Sequence, residues 1–317
     1  MTRLVVLDGA TLNPGDNPWT GLEELGKLVV YERTPRELVV ERARGADIIF
    51  TNKTIVDAAA LAALRGLRGI CVLATGVNVV DVGAARSLGI PVCNVPAYSA
   101  QFVAQHTIAL LLELCNAVGL HDAAVRAGEW SAAPDFSFWK KSLLELDGLA
   151  LGIVGYGAIG SRVAAIASAL GMRVSAATAH GPGSHAAVTR VPLERLLAES
   201  DVISLHCPLT PQTERLLRWA RLCTMKPSAL VINTARGGLV DDRDLQRALD
   251  QGVIAGAAVD VLSSEPPPPD HPLLSAKNCI ITPHLGWSSL AARRRLMSIT
   301  VDNARALLAG QPIHVVE

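Results

Sequence analysis

Residues 149–179 read LALGIVGYGAIGSRVAAIASALGMRVSAATA, and no other stretch restricts the fold of this chain as tightly. The short apolar run Leu149–Val154 predicts a strand buried on both faces of a parallel sheet. It ends at Gly155-Tyr156-Gly157-Ala158-Ile159-Gly160, a G-x-G-x-x-G in the right place. Ile159, Val163, Ile166, Ala167 and Leu170 then fall at helical spacing, Gly171 stops the helix, and Met172–Ala177 is a second strand. In such a unit Gly155 permits a tight turn, Gly157 lets a diphosphate approach the backbone, and Gly160 lets helix and strand pack closely. The diphosphate meets unpaired N–H groups and the positive end of the helix dipole. A bare match to the pattern is often only a loop, but a strand before it and a helix and strand after it make a dinucleotide site the expectation. Where an NAD site usually places Asp or Glu on the ribose hydroxyls, this chain has Thr178.

At 317 residues the chain is long enough for two domains with separate cores. Lys+Arg equals Asp+Glu at 29 each, so no basic excess draws it to nucleic acid or an anionic membrane. The apolar start is cut off at Asp8, too short for a signal peptide, and the longest apolar stretch, Thr107–Leu120, contains Glu113, too short and charged for a membrane span. A cytoplasmic protein is therefore expected. The six cysteines form no C-x-x-C and read as reduced thiols. His180 and His185 lie close in sequence but lack accompanying ligands, so no metal site is expected.

Before the glycine loop, Leu4–Leu7, Leu28–Tyr31, Ile48–Thr51, Ile70–Ala74 and Val92–Asn94 read as strands alternating with helices at Pro35–Ala43, Asp57–Leu64 and Val82–Leu88. The turns 73–78 and 94–99 sit at strand ends, where open α/β sheets gather ligands, although ordinary connecting loops look the same. A helix follows between Ser99 and Val118, with Val103, Thr107, Leu110, Leu111 and Leu114 on one face. The segment Asp122–Trp139 is poorly periodic and aromatic, as a subunit interface or a cover over a cleft would be. Beyond the glycine unit come strands at Val202–Leu205, Ala229–Asn233, Gly256–Asp260 and Cys279–Thr282, about six in all. Helices fit at Pro192–Glu199, Gln212–Met225 and Asp242–Gln251. Pro266–Pro269 forms a stiff turn, and Ser288–Leu308 a final helix with Ala291, Leu296, Ile299, Ala304 and Leu307 inward.

Three polar residues follow apolar strands of this second unit: Arg236, Glu265 and His284. Each alone has an ordinary reading, as a surface cation, a turn carboxylate and a structural imidazole. Together on a dinucleotide fold they suit hydride transfer to a ketone, which needs a proton donor, a fixed cation for a carboxylate, and a partner for the donor.

The runs Asn233-Thr234-Ala235-Arg236-Gly237-Gly238-Leu239-Val240-Asp241, Val259-Asp260-Val261-Leu262-Ser263-Ser264-Glu265-Pro266 and Thr282-Pro283-His284-Leu285-Gly286-Trp287, with the glycine loop and Ala74-Thr75-Gly76-Val77-Asn78, resemble signatures of the D-isomer-specific 2-hydroxyacid dehydrogenases. Pro96-Ala97-Tyr98-Ser99 and Asp135-Phe136-Ser137-Phe138-Trp139 look closest to the glycerate dehydrogenase or hydroxypyruvate reductase branch. The resemblance implies an α/β fold of two domains. A Rossmann doubly wound parallel sheet (residues 101–288) would be inserted into a smaller flavodoxin-like substrate domain (1–100 and 289–317) that swings on its connecting helices. It implies reduction of a small 2-keto acid of the glyoxylate or hydroxypyruvate type, or the reverse, by a homodimeric enzyme.

By the same resemblance His284 is the acid that protonates the carbonyl, Glu265 hydrogen-bonds it and favours its charged form, and Arg236 clamps the substrate carboxylate. Ala74, Thr75 and Gly76 add backbone contacts to the carboxylate. Gly155, Gly157, Ala158, Ile159, Gly160, Thr178, Cys207, Thr234, Ala235, Asp260, His284 and Gly286 line the cofactor. The family uses NAD(H) or NADP(H). Thr178 removes the usual reason to reject a 2′-phosphate, and with His180 and Arg190 the nearest cations a slight preference for NADP(H) is expected. Trp287 either narrows the pocket toward small substrates or packs on the nicotinamide side. Two other readings keep the fold: a cofactor-sensing interaction protein without catalysis, and a phosphite or formate dehydrogenase, the former class using a Lys where this chain has Thr75-Gly76.

Overall fold

The computed structural model describes residues 1–178 and 188–316. The chain divides into two compact units, Met1–Ser99 with Trp287–Glu317, and Ala100–Gly286. The first holds strands β1 (Arg3–Val6), β2 (Lys27–Val30), β3 (Ile48–Thr51), β4 (Gly69–Val72) and β5 (Val92–Cys93), all parallel in the order β2-β1-β3-β4-β5. Alternate residues of these strands feed two apolar layers. Val5, Ile49, Ile70 and Val72 meet Val39, Leu61 and Ala85 on one face. Leu4, Val6, Ile48, Phe50 and Cys71 meet Leu22, Leu296, Ala304 and Leu307 on the other, the last three from the helix Leu290–Leu308.

The second unit holds β6 (Ala150–Val154), β7 (Arg173–Ala177), β8 (Thr189–Arg190), β9 (Val202–Leu205), β10 (Leu230–Asn233), β11 (Gly256–Val259) and β12 (Cys279–Ile281). They form one parallel sheet in the order β12-β11-β10-β9-β6-β7-β8. Its direction of growth reverses between β6 and β9, the switch point at which doubly wound sheets open a crevice for a ligand. Ile153, Val202, Ile232 and Ala258 pack under the helices Ala100–Asn116 and Ala158–Ala169. Val154, Ile203, Leu205, Val231 and Ala257 pack under Leu193–Glu199 and Asp242–Asp250 on the opposite face. Burial on both faces is why these strands read as continuous apolar runs rather than alternating ones.

The structure corrects four local expectations. The sheet has seven strands among the described residues, not about six. The extra one, β8, is two exposed edge residues, Thr189 and Arg190, with no apolar signal to betray it. The helix expected at Gln212–Met225 shrinks to Trp219–Leu222. Thr213 spends its hydroxyl on Pro208 O at 2.7 Å, Arg215 takes φ +48°, and Leu217 bridges Val240, so the first half is turn and bridge. Conversely, Val118–Arg126 is a helix inside a region of weak periodicity; it starts at Ala117 with φ +47° and buries only Ala124, so its period is not written in apolar residues. In the last helix Ala292 and Arg293 face inward while Ala291 is exposed. Arg293 reaches Asp16 through two nitrogens, so a charged residue occupies a position that hydrophobic phase alone misassigns. Among the described residues no single helix is long and apolar enough to cross a membrane.

Candidate active site

Each glycine of the loop after β6 sits in the environment its assigned role requires. Gly155 turns the chain at φ +93°, and a side chain there would meet the backbone of His206 and Cys207 at 2.6–2.7 Å. A Cβ on Gly160 would collide with the Gly155 carbonyl and lie 3.1 Å from Ile153 Cγ2. A Cβ on Gly157 would meet nothing within 4 Å. Gly157 also caps the helix Ala158–Ala169 with no side-chain hydrogen bond, leaving the first N–H groups of that helix for a ligand. Exposed Ala158 and half-buried Ile159 begin that turn. These features fit a dinucleotide diphosphate. They also separate two substitutions. Gly160→Ala is expected to lower stability by ~1–3 kcal/mol through overpacking. Gly157→Ala should melt like the parent yet bind reduced cofactor at least about tenfold more weakly, since its methyl fills the space a phosphate needs. Thermal melts and cofactor titrations of both proteins check this; unchanged affinity in Gly157→Ala would contradict it.

The second cluster stands at the carboxyl ends of adjacent strands β10, β11 and β12. Buried Asn233 closes β10 and pins the turn that follows, accepting from Ala235 N at 3.1 Å and donating to Arg236 O at 2.9 Å. Gly237 fits beneath the Leu262 carbonyl where any side chain would clash. Arg236 therefore projects from a fixed backbone, exposed, with one Nη1 bond to Ala235 O and no ion pair among the described residues. After β11, Glu265 accepts from Leu262 N at 3.0 Å through Oε1 and holds His284 Nδ1 at 2.7 Å through Oε2. Asp242 supports the same loop, accepting from Ser263 N and bonding His271 Nε2. His284 itself has φ +54°, and its N–H is taken by Asp260 O and Thr282 O. With Nδ1 on Glu265, the imidazole keeps Nε2 for another partner.

Asp260 organises this turn. Its carboxylate is buried and accepts from Thr282 Oγ1 (2.6 Å), Leu285 N (2.7 Å) and Gly286 N (2.8 Å), with His106 Nε2 at 3.2 Å. Burial opposes ionisation, yet the donors from His106, Thr282, Gly286 and Leu285 together hold it below the usual carboxylate range. Asp260 thus acts first on the backbone that carries His284, and Gly286 is buried against it. His106, contributed by the helix Ala100–Asn116, was invisible to sequence reasoning, where it is one polar residue on an amphipathic helix. Thr234 is similarly tied, its hydroxyl 2.8 Å from Thr107. Ala235 is half-buried in the Arg236 turn, and Cys207 is half-buried after β9, where burial pushes its thiol up.

Thr178 stands half-buried one residue past β7. His180, the nearest expected cation, lies outside the described residues, as does His185; Arg190 belongs to β8. In the first unit the turn Ala74–Gly76 follows β4. Thr75 Oγ1 donates to Val95 O at 2.8 Å, Asn94 Nδ2 donates to Thr75 O at 2.7 Å, and no backbone acceptor among the described residues takes the Thr75 or Gly76 N–H. Asn52 Nδ2 holds Leu73 O at 2.6 Å, and Asp8 accepts from Asn52, Lys53 and Thr54 N–H groups. Neither residue was singled out by sequence; a carboxylate directly after a buried strand was the available signal. Trp287 packs against the core of its own unit.

The family model described as D-isomer specific 2-hydroxyacid dehydrogenase, NAD binding domain, matches residues 108–286. The chain is 47% identical to a hydroxypyruvate reductase of Blautia hydrogenotrophica over 99% of both chains. It is 42% identical to a glycerate dehydrogenase of Methylorubrum extorquens over 90% of this chain and 89% of that one. A solved structure of a Thermus thermophilus protein superposes with a TM-score of 0.87 at 38% identity, over 100% of each chain. With a nicotinamide-binding sheet, its glycine loop and the strand-end Arg, Glu and His in place, the chain belongs to the D-isomer specific 2-hydroxyacid dehydrogenase family.

Proposed function

We propose that this protein reduces hydroxypyruvate to the D-2-hydroxy acid and the smaller glyoxylate to its achiral 2-hydroxy acid, and runs the reverse oxidations. The observation that carries the reading is the 2.7 Å Glu265–His284 pair at the carboxyl end of a dinucleotide sheet, beside an Arg236 with no ion pair among the described residues. The bound NAD(P)H supplies the hydride to the carbonyl carbon. His284 Nε2 gives its proton to the carbonyl oxygen as the C=O π bond becomes C–O–H, and Glu265 keeps the imidazole oriented throughout. Arg236 holds the substrate carboxylate through its forked N–H groups, and the backbone N–H groups of Thr75 and Gly76 with Ala74 are assigned to the same anion. Residues 1–100 and 289–317 then carry the substrate, and 101–288 the dinucleotide. Assay of the purified protein against a panel of 2-keto acids, following consumption of reduced cofactor and the configuration of the product, tests this. No turnover of any 2-keto acid, or an L-product, overturns it.

Within that reading NADPH is accepted at least as well as NADH, because Thr178 brings no carboxylate to repel a 2′-phosphate. Installing one in Thr178→Asp is expected to shift the kcat/KM ratio about 100-fold toward NADH, since like charges in contact cost several kcal/mol. A ratio unmoved by that substitution removes Thr178 from the selection. A homodimer is supported by the segment after Val118–Arg126, where Trp130, Phe136 and Trp139 are 51%, 91% and 70% exposed. Trp130 Nε1–Phe136 O and Lys140–Glu129 bonds hold these aromatics in a formed arm. A sedimentation mass of one chain contradicts the dimer. The six free cysteines suit the reducing cytoplasm.

A further inference from the structure

We infer that Asp242 and His271 are positioning residues for the reaction: their buried pair fixes the backbone of Leu262 and Ser263, which holds Glu265 on one side and the Arg236 turn on the other. This rests on the roles proposed for Arg236, Glu265 and His284, and adds a physical link between them. Three contacts meet on those two residues. Leu262 N donates to Glu265 Oε1 at 3.0 Å, and Ser263 N donates to Asp242 Oδ2 at 3.1 Å. The Leu262 carbonyl lies so close over Gly237 that a Cβ there would fall 1.9 Å from its oxygen. Gly237 directly follows Arg236, and Glu265 holds His284 Nδ1 at 2.7 Å. A shift of this backbone therefore reaches the partner of the proton donor and the carboxylate clamp together.

Helix capping does not account for Asp242. It opens the helix Asp242–Asp250, but Asp241 is the cap, accepting from Asp244 N at 3.1 Å. The Asp242 carboxylate turns away from its own helix, and its Oδ2 takes both Ser263 N and His271 Nε2, the latter at 3.0 Å. The two side chains are only 7% and 4% exposed, and a carboxylate is costly to bury unless it is hydrogen-bonded. His271 is fixed through its other nitrogen. Leu273 N, which can only donate, points at Nδ1 at 3.4 Å, so the ring proton belongs on Nε2 and is given to Asp242. The imidazole thus anchors the carboxylate to the turn at Pro272–Ser275, and the carboxylate anchors Ser263.

The test measures kcat and KM for the keto acid and the Kd for reduced cofactor, below the melting temperature of each protein. It compares the parent, Asp242→Ala, Asp242→Asn, Glu265→Ala and the double variant Asp242→Ala with Glu265→Ala. In Asp242→Ala kcat is expected to fall about tenfold and KM to rise about tenfold, because small displacements of reacting groups are costly, while the cofactor Kd stays within about twofold of the parent. Asp242→Asn, whose amide oxygen can accept from both Ser263 N and His271 Nε2, should recover most of both losses. In the Glu265→Ala background the kcat loss from Asp242→Ala should disappear, since the side chain it acts through is gone, whereas the rise in KM persists through the Arg236 turn. A general loosening of the fold would cost the same factor in both backgrounds. Should Asp242→Ala not fold, His271→Leu takes its place and is expected to show the same pattern at about threefold. Unaltered kcat and KM, equal kcat losses with and without Glu265, or no recovery in Asp242→Asn would each overturn the inference while leaving the enzymatic reading intact. A parent protein that turns over no 2-keto acid overturns both.

Discussion

His284→Gln is expected to lower kcat for keto-acid reduction by on the order of 10³-fold while leaving the Kd for reduced cofactor within a few-fold of the parent. The amide keeps the size and polarity of the imidazole at a backbone fixed by Asp260 O and Thr282 O, so the turn survives. What is lost, on the proposed mechanism, is the Nε2 proton that His284 gives to the carbonyl oxygen. Positioned acids contribute ~10²–10⁴ in rate, the range the measurement should meet. Glu265→Gln is the graded companion. It keeps a hydrogen bond to Nδ1 but removes the carboxylate that orients the ring, so a smaller loss in kcat, about 10–100-fold, is expected. Single-turnover reduction with saturating cofactor separates these effects from binding. Near-parent rates in His284→Gln would remove the residue from the acid role and leave the family fold without its proton donor.

The same pair shows what sequence discloses and what it withholds. The fold was legible because a parallel strand covered on both faces must be written as an apolar run, and a nucleotide turn as glycines. Arg236, Glu265 and His284 were legible as polar residues immediately after such runs. Their supports were not. Asp260 draws its partners from Thr282, Leu285 and Gly286 and from His106, 154 positions earlier. Hydrophobic periodicity reports which face is buried, not which polar groups meet across it. Arg293 in the last helix shows the limit from the other side, a charge that faces inward because Asp16 neutralises it. The edge strand β8 and the helix Val118–Arg126 escaped because neither hides an apolar face.

Arg236→Lys is expected to reduce kcat/KM for the keto acid by about 10²–10³-fold, although charge is conserved. A guanidinium offers a planar fork of N–H donors matched to two carboxylate oxygens, whereas an ammonium is a hydrated point charge on a freer stem. The backbone around Arg236 is fixed: Asn233 pins the turn on both sides, Ala235 O takes one Nη1 bond, and Gly237 is locked under Leu262. A lysine inherits the fixed backbone but not the second contact. A substrate without a carboxylate, glycolaldehyde in place of hydroxypyruvate, decides whether that contact is what was lost. The parent should turn it over poorly, and Arg236→Lys should do so almost equally poorly, because the group that reads the fork is gone. The two changes then fail to add, and the shortfall measures the Arg236–carboxylate interaction. If the substitution instead costs the same factor with both substrates, Arg236 acts on the carbonyl or on the turn, and the carboxylate clamp must be assigned elsewhere.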